Sequence, residues 1–173
     1  MDSFPAIEID KVKAWDFRLA NINTSECLNV AYGVDANYLD GVGVSITSIV
    51  LNNRHINLDF YIIADVYNDG FFQKIAKLAE QNQLRITLYR INTDKLQCLP
   101  CTQVWSRAMY FRLFAFQLLG LTLDRLLYLD ADVVCKGDIS QLLHLGLNGA
   151  VAAVVKDIDP MQEKAASRLS DPE

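Results

Sequence analysis

Residues 28–65, LNVAYGVDANYLDGVGVSITSIVLNNRHINLDFYIIAD, decide the fold. LNVAYGV (28–34) is a short apolar run that reads as a strand. GVGVSITSIVLNN (41–53), opened by glycines, has the spacing of a helix, and LDFYIIAD (58–65) is apolar enough for a strand buried on both faces. Together they make one β-α-β unit. The alternation continues outward. Gly70–Gln83 carries Phe71, Phe72, Ile75, Leu78 and Ala79 on one helical face, and LRITLYRI (84–91) reads as a strand. A loop containing Cys and Pro leads to a helix over Ser106–Leu119, and RLLYLDAD (125–132) reads as the next strand. Asp138–Leu143 is expected as a short helix or turn, and AVAAVV (150–155) as a further strand before a polar tail interrupted by proline. Strands alternating with helices predict an α/β fold: a mostly parallel, Rossmann-like sheet with helices on both faces. Residues 1–26 read as an irregular N-terminal extension, and 27–173 as one domain.

The totals narrow the function. A chain of 173 residues with 51% hydrophobic content can bury one core. A net charge of −5 without any Lys/Arg-rich run argues against a nucleic-acid surface or a polybasic membrane tether, leaving a small molecule as the expected ligand. The N-terminus, MDSFPAIEIDKVKAWDF, has acidic residues from position 2 and no continuous apolar core. It reads as neither a signal peptide nor a membrane span, so a cytosolic protein is expected. Four scattered cysteines (Cys27, Cys98, Cys101, Cys135) are ordinary for reduced thiols, and no structural disulfide is expected.

In such sheets ligands bind beyond the carboxyl ends of the strands. Two polar constellations fall there. If 125–132 is a strand, Asp130 and Asp132 point to one side with α-carbons about 6.5–7 Å apart, within reach of one hard divalent ion. Two oxygen ligands favour Mg²⁺ or Mn²⁺ with water and phosphate completing the shell, although a solvated pair of capping aspartates has the same pattern. Arg112 lies in the apolar segment AMYFRLFAF, so it is expected to be buried and to need a phosphate or carboxylate partner, unless it snorkels outward. After the first strand, Gly33 lets backbone approach a ligand, Asp35 and Asn37 supply hydrogen bonds, and Tyr38 offers a stacking face. A polar Asx turn reads equally well there. Gly33, Gly41 and Gly43 do not make a dinucleotide fingerprint. Cys98-Leu99-Pro100-Cys101 has the outline of a redox motif in the wrong place, deep in the strand series. His55 and His144 lack Cys or His neighbours at zinc spacing.

Taken in order, AYGVDANY, SRAMYFRLFAF and LLYLDADVV followed by KGDI resemble the family 8 retaining glycosyltransferases of the glycosyltransferase-A fold, especially those building the bacterial lipopolysaccharide core. The resemblance covers about residues 28–173. It implies that Asp35, Asn37 and Tyr38 hold the uridine of a UDP-sugar, with Gly33, Val34, Ala36 and Ala131 contributing to the same nucleotide-sugar site. It implies that Arg112 orders that site, and that Asp130 and Asp132 bind the Mg²⁺ or Mn²⁺ that meets the diphosphate, Asp130 also lying near the ribose or sugar. The implied reaction moves glucose or galactose from UDP-glucose or UDP-galactose to a lipopolysaccharide core acceptor, in the cytoplasm or at the cytoplasmic face of the inner membrane. The family's histidine metal ligand and its acceptor-side acids belong to a C-terminal part beyond Glu173. The expectation is therefore an incomplete domain, with catalytic residues unassigned, that binds UDP weakly and transfers no sugar. Two rivals fit parts of the pattern. A haloacid-dehalogenase-like phosphatase would use Asp130 as nucleophile and Asp132 as acid/base, with Lys156, Asp157 and Asp159 as its remaining groups. A non-catalytic nucleotide-binding fragment would need only the site.

Overall fold

The computed structural model of the protein describes residues 7–19, 26–101 and 106–155. The chain divides into two compact units, Met1–Leu143 and His144–Glu173. The first holds a five-stranded sheet. In chain order its elements are β1 (Ile9–Asp16), β2 (Cys27–Val34), α1 (Leu39–Asn52), β3 (Asn57–Ala64), α2 (Asp69–Asn82), β4 (Arg85–Ile91), α3 (Phe111–Leu119) and β5 (Leu127–Tyr128). The spatial order is β1-β4-β3-β2-β5, with β4, β3, β2 and β5 parallel and β1 antiparallel on β4.

Both faces are buried, as near-continuous apolar strands require. On one face Val30, Tyr32, Phe60, Ile62, Ile86 and Leu88 pack against Val42, Ile46 and Ile49 of α1 and Phe71, Ile75 and Ala79 of α2. On the other, Ala31, Tyr61, Ile63 and Ile91 meet Phe111, Phe114, Ala115 and Leu119 of α3. The mostly parallel α/β sheet with helices on both faces is the architecture expected from the alternation.

Three local expectations are corrected. The supposed irregular extension contains β1, whose residues pair from Ile9↔Ile91 to Asp16↔Arg85. A register shift between Lys11 and Lys13 breaks the period-2 pattern, so only Ile9, Val12 and Trp15 tuck in. Its exposed lysines suit a sheet edge. The helix expected from Ser106 begins as a 3-10 turn, Arg107–Tyr110, and becomes α-helical only at Phe111. The strand expected over 125–132 ends at Tyr128.

The N-terminal edge of the sheet is tied by charge. Asp59, 4% exposed, accepts two hydrogen bonds from Arg18 Nη1 at 3.1 and 3.2 Å and lies 3.4 Å from Arg85 Nε. Arg18 also grips Asp16 at 2.6 Å, and Arg85 Nη2 donates to the Tyr61 hydroxyl at 2.8 Å. The network joins the end of β1 to the starts of β3 and β4 and pairs a carboxylate that would otherwise be buried alone. Burial pushes the neighbouring Cys27 thiol up to about 12, so it behaves as a small apolar side chain.

In the second unit Asn148 and Gly149 turn the backbone at φ +48° and +86°. AVAAVV (150–155) forms no strand, and Val151, Val154 and Val155 are almost fully exposed. Apolar β-prone composition makes a strand only where a neighbour satisfies its backbone, and none does so among the described residues.

Candidate functional site

The strand order places the site. From β2 the chain moves through β3 to β4, then returns to add β5 on the opposite side of β2. The carboxyl ends of β2 and β5 therefore flank the point where the strand order reverses, and open α/β sheets bind ligands in the crevice beyond the strand ends at such a point. Both constellations singled out in the sequence leave the sheet there.

Beyond Val34, Asp35 stays extended (φ −90°, ψ 175°) and its Oδ1 accepts the Asn37 amide at 3.0 Å. That bond caps the 3-10 turn Ala36–Tyr38, which runs directly into α1. Leu39 is buried and anchors the turn, so Asn37 and Tyr38 are left facing solvent. Gly33 has a packing role as well. A Cβ there would lie 2.6 Å from the Tyr128 hydroxyl and 2.7 Å from Phe111 Cβ, so the glycine lets β2 close against α3 and β5.

Leu129 carries the β5 ladder one residue further, its amide donating to Ala31 O at 3.0 Å. Asp130 O then accepts the Val133 amide at 3.3 Å, closing a turn over Asp130–Val133. The two carboxylates are therefore presented by a turn, not by one face of a strand. Ala131, 8% exposed, points inward against α1, where a Cβ on Gly41 would come within 3.0 Å of Ala131 O. Downstream, the turn is strapped to α1. Ser48 Oγ accepts the Cys135 amide at 2.9 Å, and Asn52 Nδ2 donates to Cys135 O at 3.1 Å. The fully buried Asn53 donates to Gly137 O and accepts the Ile139 amide at 2.8 Å.

Arg112 reaches across from α3. Its Nη2 donates to Asp130 Oδ1 at 2.9 Å, and its guanidinium lies 5.2 Å over the Tyr128 ring. The expectation of a buried guanidinium is corrected: the side chain is 44% exposed, because the buried face of α3 runs through Phe111, Phe114, Ala115 and Leu119 and leaves Arg112 beside it. Its Nε is buried and has no acceptor among the described residues. Burial pushes Tyr128 up to about 12, keeping it a neutral platform beneath the cation.

Asp132 is exposed and has no ion-pair partner among the described residues. No three His, Cys, Asp or Glu side chains cluster among them as a complete metal site. Asp130 and Asp132 offer oxygen only, which suits a hard divalent ion that draws its other ligands from water, phosphate or further chain. The residues present fit such an ion as two of its ligands.

His55 pairs with Asp138 at 3.5 Å, His144 is exposed, and all four cysteines are free thiols. Lys156, Asp157 and Asp159 lie outside the described residues. Sequence reading passed over Asp65, the residue after β3. Its register follows from Val34↔Ala64, which puts Asp35 and Asp65 side by side at adjacent strand ends. Asp65 Oδ1 is buried with no hydrogen-bond partner.

Comparison with known proteins gives the family and the fold. The profile of glycosyl transferase family 8 matches residues 29–172. The chain is 98% identical, over all 173 residues, to a lipopolysaccharide 1,2-glucosyltransferase of Escherichia coli K12, of which it covers 51%. It is 38% identical over 143 residues, 82% of its length, to a lipopolysaccharide 1,3-galactosyltransferase of Salmonella typhimurium, covering 42% of that protein. The chain thus spans about half the length of the relatives it matches. Among solved structures, the galactosyltransferase LgtC, in complex with donor and acceptor sugar analogues, superposes with a TM-score of 0.58 at 19% identity. That match covers 66% of this chain and 41% of LgtC, and shows a shared glycosyltransferase-A-like fold. No described helix is long and apolar enough to cross a membrane. With a family profile spanning nearly the whole chain, a sheet of the matching fold and both constellations at its switch point, this chain belongs to glycosyl transferase family 8.

Proposed function

We propose that this chain is the nucleotide-sugar half of a retaining, UDP-sugar-dependent hexosyltransferase of lipopolysaccharide core synthesis. The observation that carries the reading is the convergence of Arg112–Asp130 and the Asp35-capped turn on one switch-point crevice. Asp35, Asn37 and Tyr38, with Gly33, Val34 and Ala36 as the backbone behind them, bind the uridine of UDP-glucose or UDP-galactose. Tyr38, 54% exposed, supplies the stacking face. Asp130, Ala131 and Asp132 lie at the diphosphate end. Asp130 and Asp132 are the ligands for Mg²⁺ or Mn²⁺, which when bound stabilises the negative charge left on the diphosphate as the sugar departs. Arg112 holds Asp130 in place and brings its positive charge to the same end. A hydroxyl of the lipopolysaccharide outer core is the acceptor, and the cytoplasm or the cytoplasmic face of the inner membrane the place of reaction. The relatives' names support a lipopolysaccharide substrate, and the family assignment favours this chemistry over an Asp130 phosphatase.

The chain spans about half the length of these relatives, so the test uses two proteins. The chain extended with the remaining half of its E. coli relative is expected to move glucose from UDP-glucose to a core acceptor when Mn²⁺ is present. Asp132→Ala in that protein is expected to lower the rate at least a hundredfold, within the range assigned to a lost charge-stabilising group (about 10²–10³). The 173-residue chain alone is expected to transfer none. Hydrolysis of an aryl phosphate that depends on Asp130, in place of sugar transfer, would replace this reading with the phosphatase.

A further inference from the structure

Cys98-Leu99-Pro100-Cys101 is a motif that the nucleotide-sugar reading leaves unused. Both of its thiols are free and exposed, whereas Cys27 is buried and the half-buried Cys135 donates to Gly137 O at 3.0 Å. Among the described residues no third His, Cys, Asp or Glu completes a metal site with the pair, so its chemistry is that of two thiols. It stands in the wrong place for a catalytic dithiol, but a control disulfide needs only two reachable thiols and something to move. Cysteines that sense oxidants are solvent-accessible and stand next to a resolving cysteine, and exposed disulfides are the labile, regulatory ones.

What would move is the start of α3. Leu96 is fully buried in one cluster with Ile91, Phe111 and Phe114, which fixes the base of the loop. Three hydrogen bonds then join the loop to the 3-10 turn Arg107–Tyr110. Arg107 Nε and Nη2 donate to Leu96 O and Gln97 O at 3.1 and 3.2 Å, and the Tyr110 hydroxyl donates to Pro100 O at 2.9 Å. Tyr110 is the N-cap residue of α3, two positions before Arg112, whose Nη2 holds Asp130. Cys98 and Cys101 thus bracket a carbonyl that is bonded to the first turn of the site's own helix. A disulfide needs its two α-carbons within about 4.4–6.8 Å, which across two intervening residues requires a tight turn at Leu99-Pro100. In the reduced chain Cys98 Sγ bonds Lys95 O at 3.4 Å, and no backbone hydrogen bond closes such a turn among the described residues. Forming the bridge therefore turns Leu99 and Pro100, and with them the carbonyl that Tyr110 holds.

We infer that Cys98 and Cys101 form a reversible disulfide, and that closing it weakens metal-dependent nucleotide binding through Tyr110, α3 and Arg112. The inference rests on the UDP-sugar reading and adds a thiol–disulfide control to that site. The oxidant is a low-molecular-weight disulfide such as oxidised glutathione. One protein thiolate attacks it and releases a first reduced thiol, and the other protein thiolate attacks the mixed disulfide and releases a second. The two protein sulfurs lose two electrons and two protons, which the two released thiols carry away.

The 173-residue chain, equilibrated in glutathione buffers of graded oxidation, alkylated and cut with trypsin, tests the bond. The peptide 96–107 is expected to pass from doubly alkylated to unalkylated and internally bridged, and dithiothreitol to reverse the change. Cys27 and Cys135 are expected to stay open to alkylation after unfolding. UDP titrations with Mn²⁺ are expected to show binding by the oxidised chain weaker by at least about fivefold, the lower end of couplings between sites. By linkage, UDP with Mn²⁺ is expected to make the disulfide easier to reduce by the same factor. Cys98→Ser is expected to bind UDP like the reduced chain in every buffer. A peptide that stays alkylated or gains only glutathione adducts, or an oxidised chain of unchanged UDP affinity, would overturn the inference and leave the UDP-sugar reading standing. An equal loss of affinity by Cys98→Ser under oxidation would do the same. A reduced chain that binds no UDP would overturn both.

Discussion

Replacing Asp59 with alanine is expected to cost about 3 kcal/mol of folding stability, the lower end of the 3–5 kcal/mol seen when one partner of a buried charge pair is removed. The side chain is 5% exposed and lies between Arg18 and Arg85, so its loss strands two guanidinium groups at the foot of the sheet. Arg18 retains Asp16, and Arg85 is already one-third exposed, which is why the lower end applies. For a chain of this size the corresponding fall in Tm is roughly 6–12 °C. Urea denaturation followed by circular dichroism checks it: a change under about 1 kcal/mol would mean that β1 is not held by this network. The effect belongs to packing and electrostatics, and no change at the distant strand carboxyl ends is expected.

Gly33→Ala is expected to act on both stability and the site. The new Cβ would sit 2.6 Å from the Tyr128 hydroxyl, which can swing, and 2.7 Å from Phe111 Cβ, which is fixed by the backbone of α3. Overpacking of this kind costs about 1–3 kcal/mol. Because α3 carries Arg112, and Tyr128 lies beneath its guanidinium, relieving the clash moves the groups that position Asp130. Mn²⁺-dependent UDP binding is therefore expected to weaken by more than the stability loss alone explains, measured well below the melting temperature. Unchanged affinity in a destabilised variant would separate Gly33 from the site.

The legible parts of this molecule were those whose burial follows a simple period. LNVAYGV and LDFYIIAD are buried on both faces, and the parallel β-α-β arrangement follows from their apolar runs. Their order in the chain also pointed to strand ends at Asp35 and near Asp130. What stayed hidden depended on partners distant in sequence. β1 presents lysines and a bulge, so its only strong signal is the antiparallel edge of β4 that receives it. β5 pairs with β2 for only two residues because the chain must turn at Asp130–Val133 to lie against α1, a route fixed by Gly41, Ser48 and Asn53. Arg112 was read correctly as needing an anion and wrongly as buried, since an apolar sequence neighbourhood does not say where a helix face ends. Asp65 looks in sequence like any polar residue closing a strand. Only the register of β2 against β3 and an unsatisfied oxygen distinguish it.

The central claim is that the crevice between β2 and β5 holds a nucleoside diphosphate through a divalent ion at Asp130 and Asp132. A thermal-shift series on the 173-residue chain tests it most directly, with UDP alone, Mn²⁺ alone and the two together. Ligand at a hundredfold over Kd stabilises the native state by about 2.7 kcal/mol, and the gain falls with the logarithm of the ligand excess. The account predicts a rise in Tm that grows with UDP concentration, requires Mn²⁺ and disappears in Asp132→Ala. A flat response with both ligands at millimolar concentration, or a rise that survives Asp132→Ala unchanged, would contradict it.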